Sequence, residues 1–132
     1  MYFLATPMFR TDVNHSEKDH AKLKRNQEIA ESLESMGVKI FLPQRDVDQD
    51  QPAGQVIKEE LEAIKKCRAV IVVLSDTRGI YIEAGYAKAI GKKLIGLKVE
   101  ETREMSDWGY EFFDHVATNV EEAAKIIKEH TQ

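Results

Sequence analysis

Two carboxylates and a short polar loop are the residues best able to do chemistry in this chain. Glu83 stands four residues before Ala87 and seven before Ile90, in a segment closed by Gly91. That spacing predicts a helix from about Tyr81 to Ile90 with Glu83 on its apolar stripe. A charge on such a stripe is costly unless something is gained by it. Near the start of the helix, the dipole and the free backbone N–H groups favour the ionised form. An anionic carboxylate on the floor of a pocket suits a nucleophile; the plainer alternative is a residue that bonds its own first turn. Glu60, between Ile57 and Ile64, lies at the border of another helical stripe. It is either a flank charge or the second member of a pair of the kind used on glycosidic bonds. Ser75, Asp76 and Thr77 leave an apolar run just before Gly79. The two hydroxyls can donate to a sugar or phosphate, and Gly79 permits a tight turn or a close backbone approach.

Two other groupings resemble metal sites and fail as such. Asp46, Asp48 and Asp50 begin like a calcium loop, but Gln51 stands at the sixth position and Ile57 at the twelfth. His15 and His20 are not spaced to share a helix face, and no set of Cys or carboxylates completes a zinc site. No metal and no organic cofactor is expected.

The elements that must position these residues alternate along the chain. Tyr2–Ala5 reads as a strand, and about Ser16 to Met36 as a helix stopped by Gly37. Val38–Leu42 reads as a second strand, and Ile57, Leu61 and Ile64 mark a second helix. Ala69–Leu74, apolar on both faces, is a central strand. After the Glu83 helix come a strand from Lys93 to Val99 and another near His115 to Thr118. Asn119 with Glu122 then forms a capping box for a last helix. Glu100–Asp114 has no clear period. Strands alternating with helices in one 132-residue domain, 1–132, predict an α/β fold. The leading topology is a flavodoxin-like three-layer sandwich, a five-stranded parallel sheet of order 2-1-3-4-5 with helices on both faces. Its site lies at the carboxyl ends of strands one and three.

Composition narrows the function. Nineteen basic against 23 acidic residues give a net charge of −4 and a pI near 5.6, with Lys and Arg scattered. A nucleic-acid polymer is therefore not an expected partner. One cysteine, Cys67, allows no internal disulfide, and no apolar run approaches the length of a membrane span. A soluble, cytoplasmic protein is expected.

Three stretches carry a resemblance: Tyr2-Phe3-Leu4-Ala5-Thr6-Pro7-Met8-Phe9, Phe41-Leu42-Pro43-Gln44-Arg45-Asp46, and Gly79-Ile80-Tyr81-Ile82-Glu83-Ala84-Gly85-Tyr86-Ala87 followed by Gly91-Lys92. In this order they resemble the nucleoside 2-deoxyribosyltransferase family, from Tyr2 to about Arg103. The resemblance implies that Glu83 is the nucleophile that takes a 2-deoxyribosyl group from a nucleoside and passes it to another base or to water. It implies that Tyr2 holds and polarises that nucleophile, that Glu60 is the second carboxylate, and that Phe9 and Gln44 contact the base. Ala5, Thr6 and Asp46 belong to the same substrate loops. Two departures bear on mechanism. The family's acid–base aspartate has Thr77 in its place, with Asp76 one residue earlier, so either the turn is rearranged to bring Asp76 in or Asp76 has another task. Thr6 replaces a usual glycine. The related 2'-deoxynucleoside 5'-monophosphate N-hydrolases place a phosphate-binding hydroxyl residue where Thr77 stands. Deoxyribosyl transfer, hydrolysis of a deoxynucleoside or its 5'-phosphate, and a non-catalytic nucleotide-binding module are thus the three readings. The expected partners are a nucleoside or nucleotide and a free nucleobase. A homodimer or higher homo-oligomer is also implied, with Trp108 to Phe113 as the segment offered to a neighbouring site.

Overall fold

A computed structural model describes residues 1–11 and 17–131. In chain order the elements are β1 (Tyr2–Ala5), α1 (His20–Ser35), β2 (Ile40–Phe41), α2 (Pro43–Asp46), α3 (Ala53–Lys66), β3 (Ala69–Leu74), α4 (Arg78–Ala89), β4 (Lys93–Lys98), α5 (Asp107–Phe112), β5 (His115–Ala117) and α6 (Val120–His130). The five strands form one parallel sheet in the order β2-β1-β3-β4-β5. This is the expected flavodoxin-like arrangement.

Alternation of side chains across the strands builds two cores. Leu4, Ile71, Val73, Ile95 and Leu97 point to one face, where Ile29, Ala30 and Leu33 of α1 and Ala123, Ala124 and Ile127 of α6 cover them. Phe3, Val70, Val72, Leu74 and Leu94 point to the other, under Ala63 and Ile64 of α3 and Ile80, Ala84 and Ala87 of α4. All six residues of β3 are buried, as a strand covered on both faces requires. Between β1 and β3 the winding reverses, and their carboxyl ends open a crevice between the following loops.

Several boundaries differ from the sequence expectation. The first helix begins at His20 and not near Ser16, which lies outside the described residues. Asp19 caps it by accepting from the Lys22 amide, while Lys18 pairs antiparallel with Phe9 and so cannot be helical. The second strand is two residues long, and the short helix α2 follows it with Pro43 at its start. The unassigned stretch after β4 contains α5, capped by Ser106 through the Gly109 amide. Among the described residues, no helix is long and apolar enough to cross a membrane.

Helix α4, which carries Glu83, ends in a motif that needs glycine. The Lys92 amide donates to the Ala87 carbonyl at 2.9 Å and the Gly91 amide to that of Lys88 at 3.0 Å, with Gly91 at a φ of +82°. No atom lies within 4 Å of where a Cβ would stand on Gly91, so a side chain there costs conformation alone. Gly91→Ala should therefore destabilise by about 1 kcal/mol. A thermal melt should show Tm lowered by roughly 4 °C with the spectrum of the folded state unchanged.

Candidate active site

The crevice at the carboxyl ends of β1 and β3, on the α3/α4 side of the sheet, is a pocket of about 430 Å³. That volume falls within the range of small-molecule sites. Helix α3 contributes Val56, Ile57, Glu60 and Leu61 to its wall; α4 contributes Gly79, Ile80, Ile82 and Glu83. The chain after β1 adds Thr6, Met8 and Phe9, and the chain around α2 adds Pro43, Gln49 and Gln51.

Glu60 and Glu83 come from different helices and hydrogen-bond each other, which requires one of them to hold a proton. Both are pushed above the ordinary carboxyl value of 4.5. For Glu83 burial is the main cause, followed by the charge of Glu60 and the hydrogen bond to it. For Glu60 burial also dominates, opposed by its bonding to Glu83 and by the amide of Gln49. The two therefore titrate as one unit in which a like charge disfavours the second ionisation. This corrects the expectation that the helix dipole keeps Glu83 ionised. Helix α4 begins at Arg78, so Glu83 sits in its second turn, where the dipole's field has faded.

The other expected site residues divide into those that reach the pocket and those that do not. Thr6, Phe9, Thr77 and Gly79 line it. The hydroxyls of Thr6 and Thr77 are buried there without a hydrogen-bond partner. Gly79 lies in the first turn of α4 and not in a tight turn, and its missing side chain leaves open space.

Tyr2 is placed elsewhere. Its ring packs in the α1/α6 core and its hydroxyl bonds Thr131 at 2.8 Å, at the opposite end of β1 from the pocket. Ala5 is fully buried in the core under α3 and α4 and does not line the pocket. Gln44 has both ends of its amide engaged, accepting from Asn26 Nδ2 at 3.0 Å and donating to the Leu23 carbonyl at 2.8 Å. Asp46 accepts from the Leu42 amide at 2.8 Å and pairs with Arg45, which ties off the turn around α2. Ser75 bonds Asp76 at 3.0 Å and Glu101 at 2.5 Å. Asp76 faces a different cavity, on the α1 side, where it bonds Lys22 and Thr11. The chain bends at Asp76 as it leaves β3, and Thr77 beyond the bend is the N-cap of α4. Thr77 lines the pocket, while Asp76 lies with Ser75 on the α1 side. The turn is not rearranged to bring its carboxylate to Glu83.

The residues that sequence reasoning missed are Gln49 and Gln51, together with Met8, Ile57 and Ile82. Gln49 donates to the carbonyl of Pro43 at 3.0 Å and lies beside Glu60; Gln51 bonds Glu59. Ile57 fits the core spacing of α3 but is half exposed, and it is a pocket wall instead. Among the described residues, no group of three or more His, Cys, Asp or Glu could hold a metal ion.

Comparison with known proteins fits this geometry. The model of the nucleoside 2-deoxyribosyltransferase family matches residues 2–127. The chain belongs to this family. No curated protein matches it by sequence. Among solved structures, the 2-deoxyribosyltransferase of Bacillus psychrosaccharolyticus superposes with a TM-score of 0.72 at 19% identity, covering 93% of this chain and 89% of that one. The 2-deoxyribosyltransferase of Leishmania mexicana gives 0.66 at 19% identity, covering 98% and 97%. The CMP N-glycosidase of Clostridium botulinum gives 0.55 at 22% identity, covering 96% and 97%. At these identities the likeness is one of fold. Family membership makes the chain an enzyme of the deoxyribosyltransferase kind.

The carboxyl pair sets a pH dependence whose sign is fixed. Groups that hold protons more tightly folded than unfolded contribute stability that is fully present below the unfolded value, near 4.5, and lost as pH rises through the folded titration. Tm should therefore decline with rising pH above that value. Glu60→Gln removes the like charge, so it should flatten that decline and move the Glu83 titration, followed by carboxyl ¹³C NMR, to lower pH.

Proposed function

We propose that the chain cleaves the N-glycosidic bond of a 2'-deoxynucleoside through an ester on Glu83 and passes the sugar to a second nucleobase. The observation that carries this reading is the hydrogen-bonded Glu60–Glu83 pair on the wall of an apolar pocket of nucleoside size. The base lies against apolar side chains such as Phe9 and Ile57, with the amides of Gln49 and Gln51 at hand for its polar edge. At rest, burial and the Glu60 charge favour the proton on Glu83. Its shift across the shared hydrogen bond to Glu60 gives the reactive form, in which Glu83 carries the charge. Glu83 attacks C1', the electrons of the C1'–N bond stay on the base nitrogen, and that nitrogen takes the proton from Glu60. The acceptor base then gives its own proton to Glu60 while its nitrogen attacks C1', which releases the Glu83 carboxylate. The pair begins and ends with one proton, and Glu60 supplies the acid–base group that Thr77 and the outward-facing Asp76 do not.

A second reading, hydrolysis of a 5'-monophosphate, is favoured by the unpartnered hydroxyls of Thr6 and Thr77, which can donate to phosphate oxygens from inside the pocket. Water then replaces the acceptor base. We also propose a homo-oligomer. Trp108 is 77% exposed on α5 and stacks on Phe112, and Ile82 is 71% exposed at the pocket rim, a surface suited to a second copy.

Incubation with each deoxynucleoside and each 5'-monophosphate, with and without a free base, tests these readings by chromatography. New nucleoside only with acceptor present is the result expected of a transferase. Free base without acceptor, with a preference for monophosphates, would give the hydrolytic reading its place. Glu83→Ala should abolish turnover, and Glu60→Gln should lower kcat by roughly 10²–10⁴-fold. A peptide containing Glu83 should carry one deoxyribosyl unit when acceptor is withheld. Wild-type turnover by Glu83→Ala would sink both enzyme readings, and binding without any turnover would leave the nucleotide-binding module.

A further inference from the structure

The wall of the pocket formed by Met8 and Phe9 does not belong to the sheet. After β1 the chain doubles back on itself: Phe9 pairs antiparallel with Lys18, the Arg10 amide donates to the Glu17 carbonyl at 2.7 Å, and the Asp19 amide donates to that of Met8 at 2.9 Å. A pairing this short holds poorly without support. Asn26, fully buried on α1, supports its base by donating to the Pro7 carbonyl at 2.7 Å. Further out, the support comes from Asp76.

One oxygen of Asp76 accepts from the Thr11 hydroxyl at 2.6 Å; the other accepts from Lys22 at 2.8 Å and from Ser75 at 3.0 Å. Lys22 reaches on to the Phe9 carbonyl at 3.4 Å. Behind Asp76, Ser75 also bonds Glu101, and Glu101 receives a two-pronged ion pair from Arg25 at 2.5 and 2.8 Å. A chain of charged groups bridged by the Ser75 hydroxyl thus runs Lys22–Asp76–Ser75–Glu101–Arg25 and ties α1, the end of β3 and the loop after β4 to the doubled-back segment. Resting on the pocket being the nucleoside site, we infer that Asp76 is a positioning residue that clamps this segment and so fixes the Met8–Phe9 wall against which the substrate binds.

The state of its carboxyl suits that task. Partial burial works to raise it, but the bonds from Lys22, Thr11 and Ser75 prevail and hold it well below the ordinary carboxylate range. Across the pH range in which the Glu60–Glu83 pair titrates, Asp76 is an anion with no proton to give. The groups facing it are Lys22, Thr11, Ser75 and, through its charge, Tyr81; Glu101, one bond further, is held at about 2 against partial burial by the Arg25 pair.

The test compares wild type with Asp76→Asn, Lys22→Met and the double variant. Amide hydrogen exchange at Arg10 and Asp19, followed by NMR, reads the clamp whether or not any nucleoside is turned over. Both single variants should speed exchange at those two amides while the β3 amides stay protected, and the effect of the double variant should fall short of the sum of the two singles. With substrate, KM should rise roughly tenfold with kcat within about threefold, and the acidic limb of the pH–rate profile should not move. Thr11→Val removes one bond and no charge, and should give a smaller change of the same kind if Asp76→Asn folds poorly. Unchanged exchange, or additive effects in the double variant, would overturn the clamp. A collapse of kcat with KM and exchange unaltered would also overturn it, by placing Asp76 on the reacting atoms. An enzyme inactive on every nucleoside but showing the exchange pattern would leave the clamp standing and refute only the functional reading.

Discussion

Two carboxyl groups on separate helices meet over one proton, and most of the site's architecture serves that meeting. Helix α3 must present Glu60 and helix α4 must present Glu83 on the same face of the sheet, at the same depth. Ala63 and Ile64 of one helix and Ile80, Ala84 and Ala87 of the other are buried against the same strands, which fixes that depth. Burial then disfavours ionisation of both groups, so their mutual hydrogen bond is the cheapest way to satisfy them. The cost of holding such a pair falls on the fold, whereas the benefit appears only when a substrate arrives to take up the charge. A site of this kind trades stability at neutral pH for two carboxyl groups that share one proton inside a pocket.

The pattern of the sequence carried the frame well. Unbroken apolar runs gave the central strands, helical spacing gave the helices, and alternation between them gave the sheet order. Glu83 was visible because a charge on an apolar stripe is anomalous, and Glu60 because it borders one. What could not be read was direction. Gln44 and Asp46 have the right chemistry to touch a base, yet both are consumed by local bonds that no spacing discloses. Tyr2 lies on the strand that leads to the pocket but at its far end, and its hydroxyl finds the carboxyl terminus of α6. Ile57 fits a core stripe and lines the pocket instead, because α3 overhangs the crevice there. Helix starts were misjudged by three or four residues, and for Glu83 that was enough to change which electrostatic effect acts on it.

The stretch from Ser75 to Thr77 shows how little chain is needed to serve two purposes. Leaving β3, it bends at Asp76 and so serves both sides of the sheet. Thr77 offers a bare hydroxyl to the pocket, while Ser75 and Asp76 join a network of charges on the α1 side. Asp76 stands one position before Thr77, and that single step across the bend separates the α1 side from the pocket. On the pocket side the carboxyl group already in contact with Glu83 is Glu60.

The outermost strands of the sheet, β2 and β5, are two and three residues long. Strands that short offer almost no row of free backbone groups for another chain to pair with, and protection of this sort guards sheets against edge-to-edge growth. Copies of this protein therefore have little means of joining through their sheets into one continuous ribbon. Any lasting contact between them must be made side chain to side chain across helices, where shape and apolar area, and not backbone pairing, choose the neighbour.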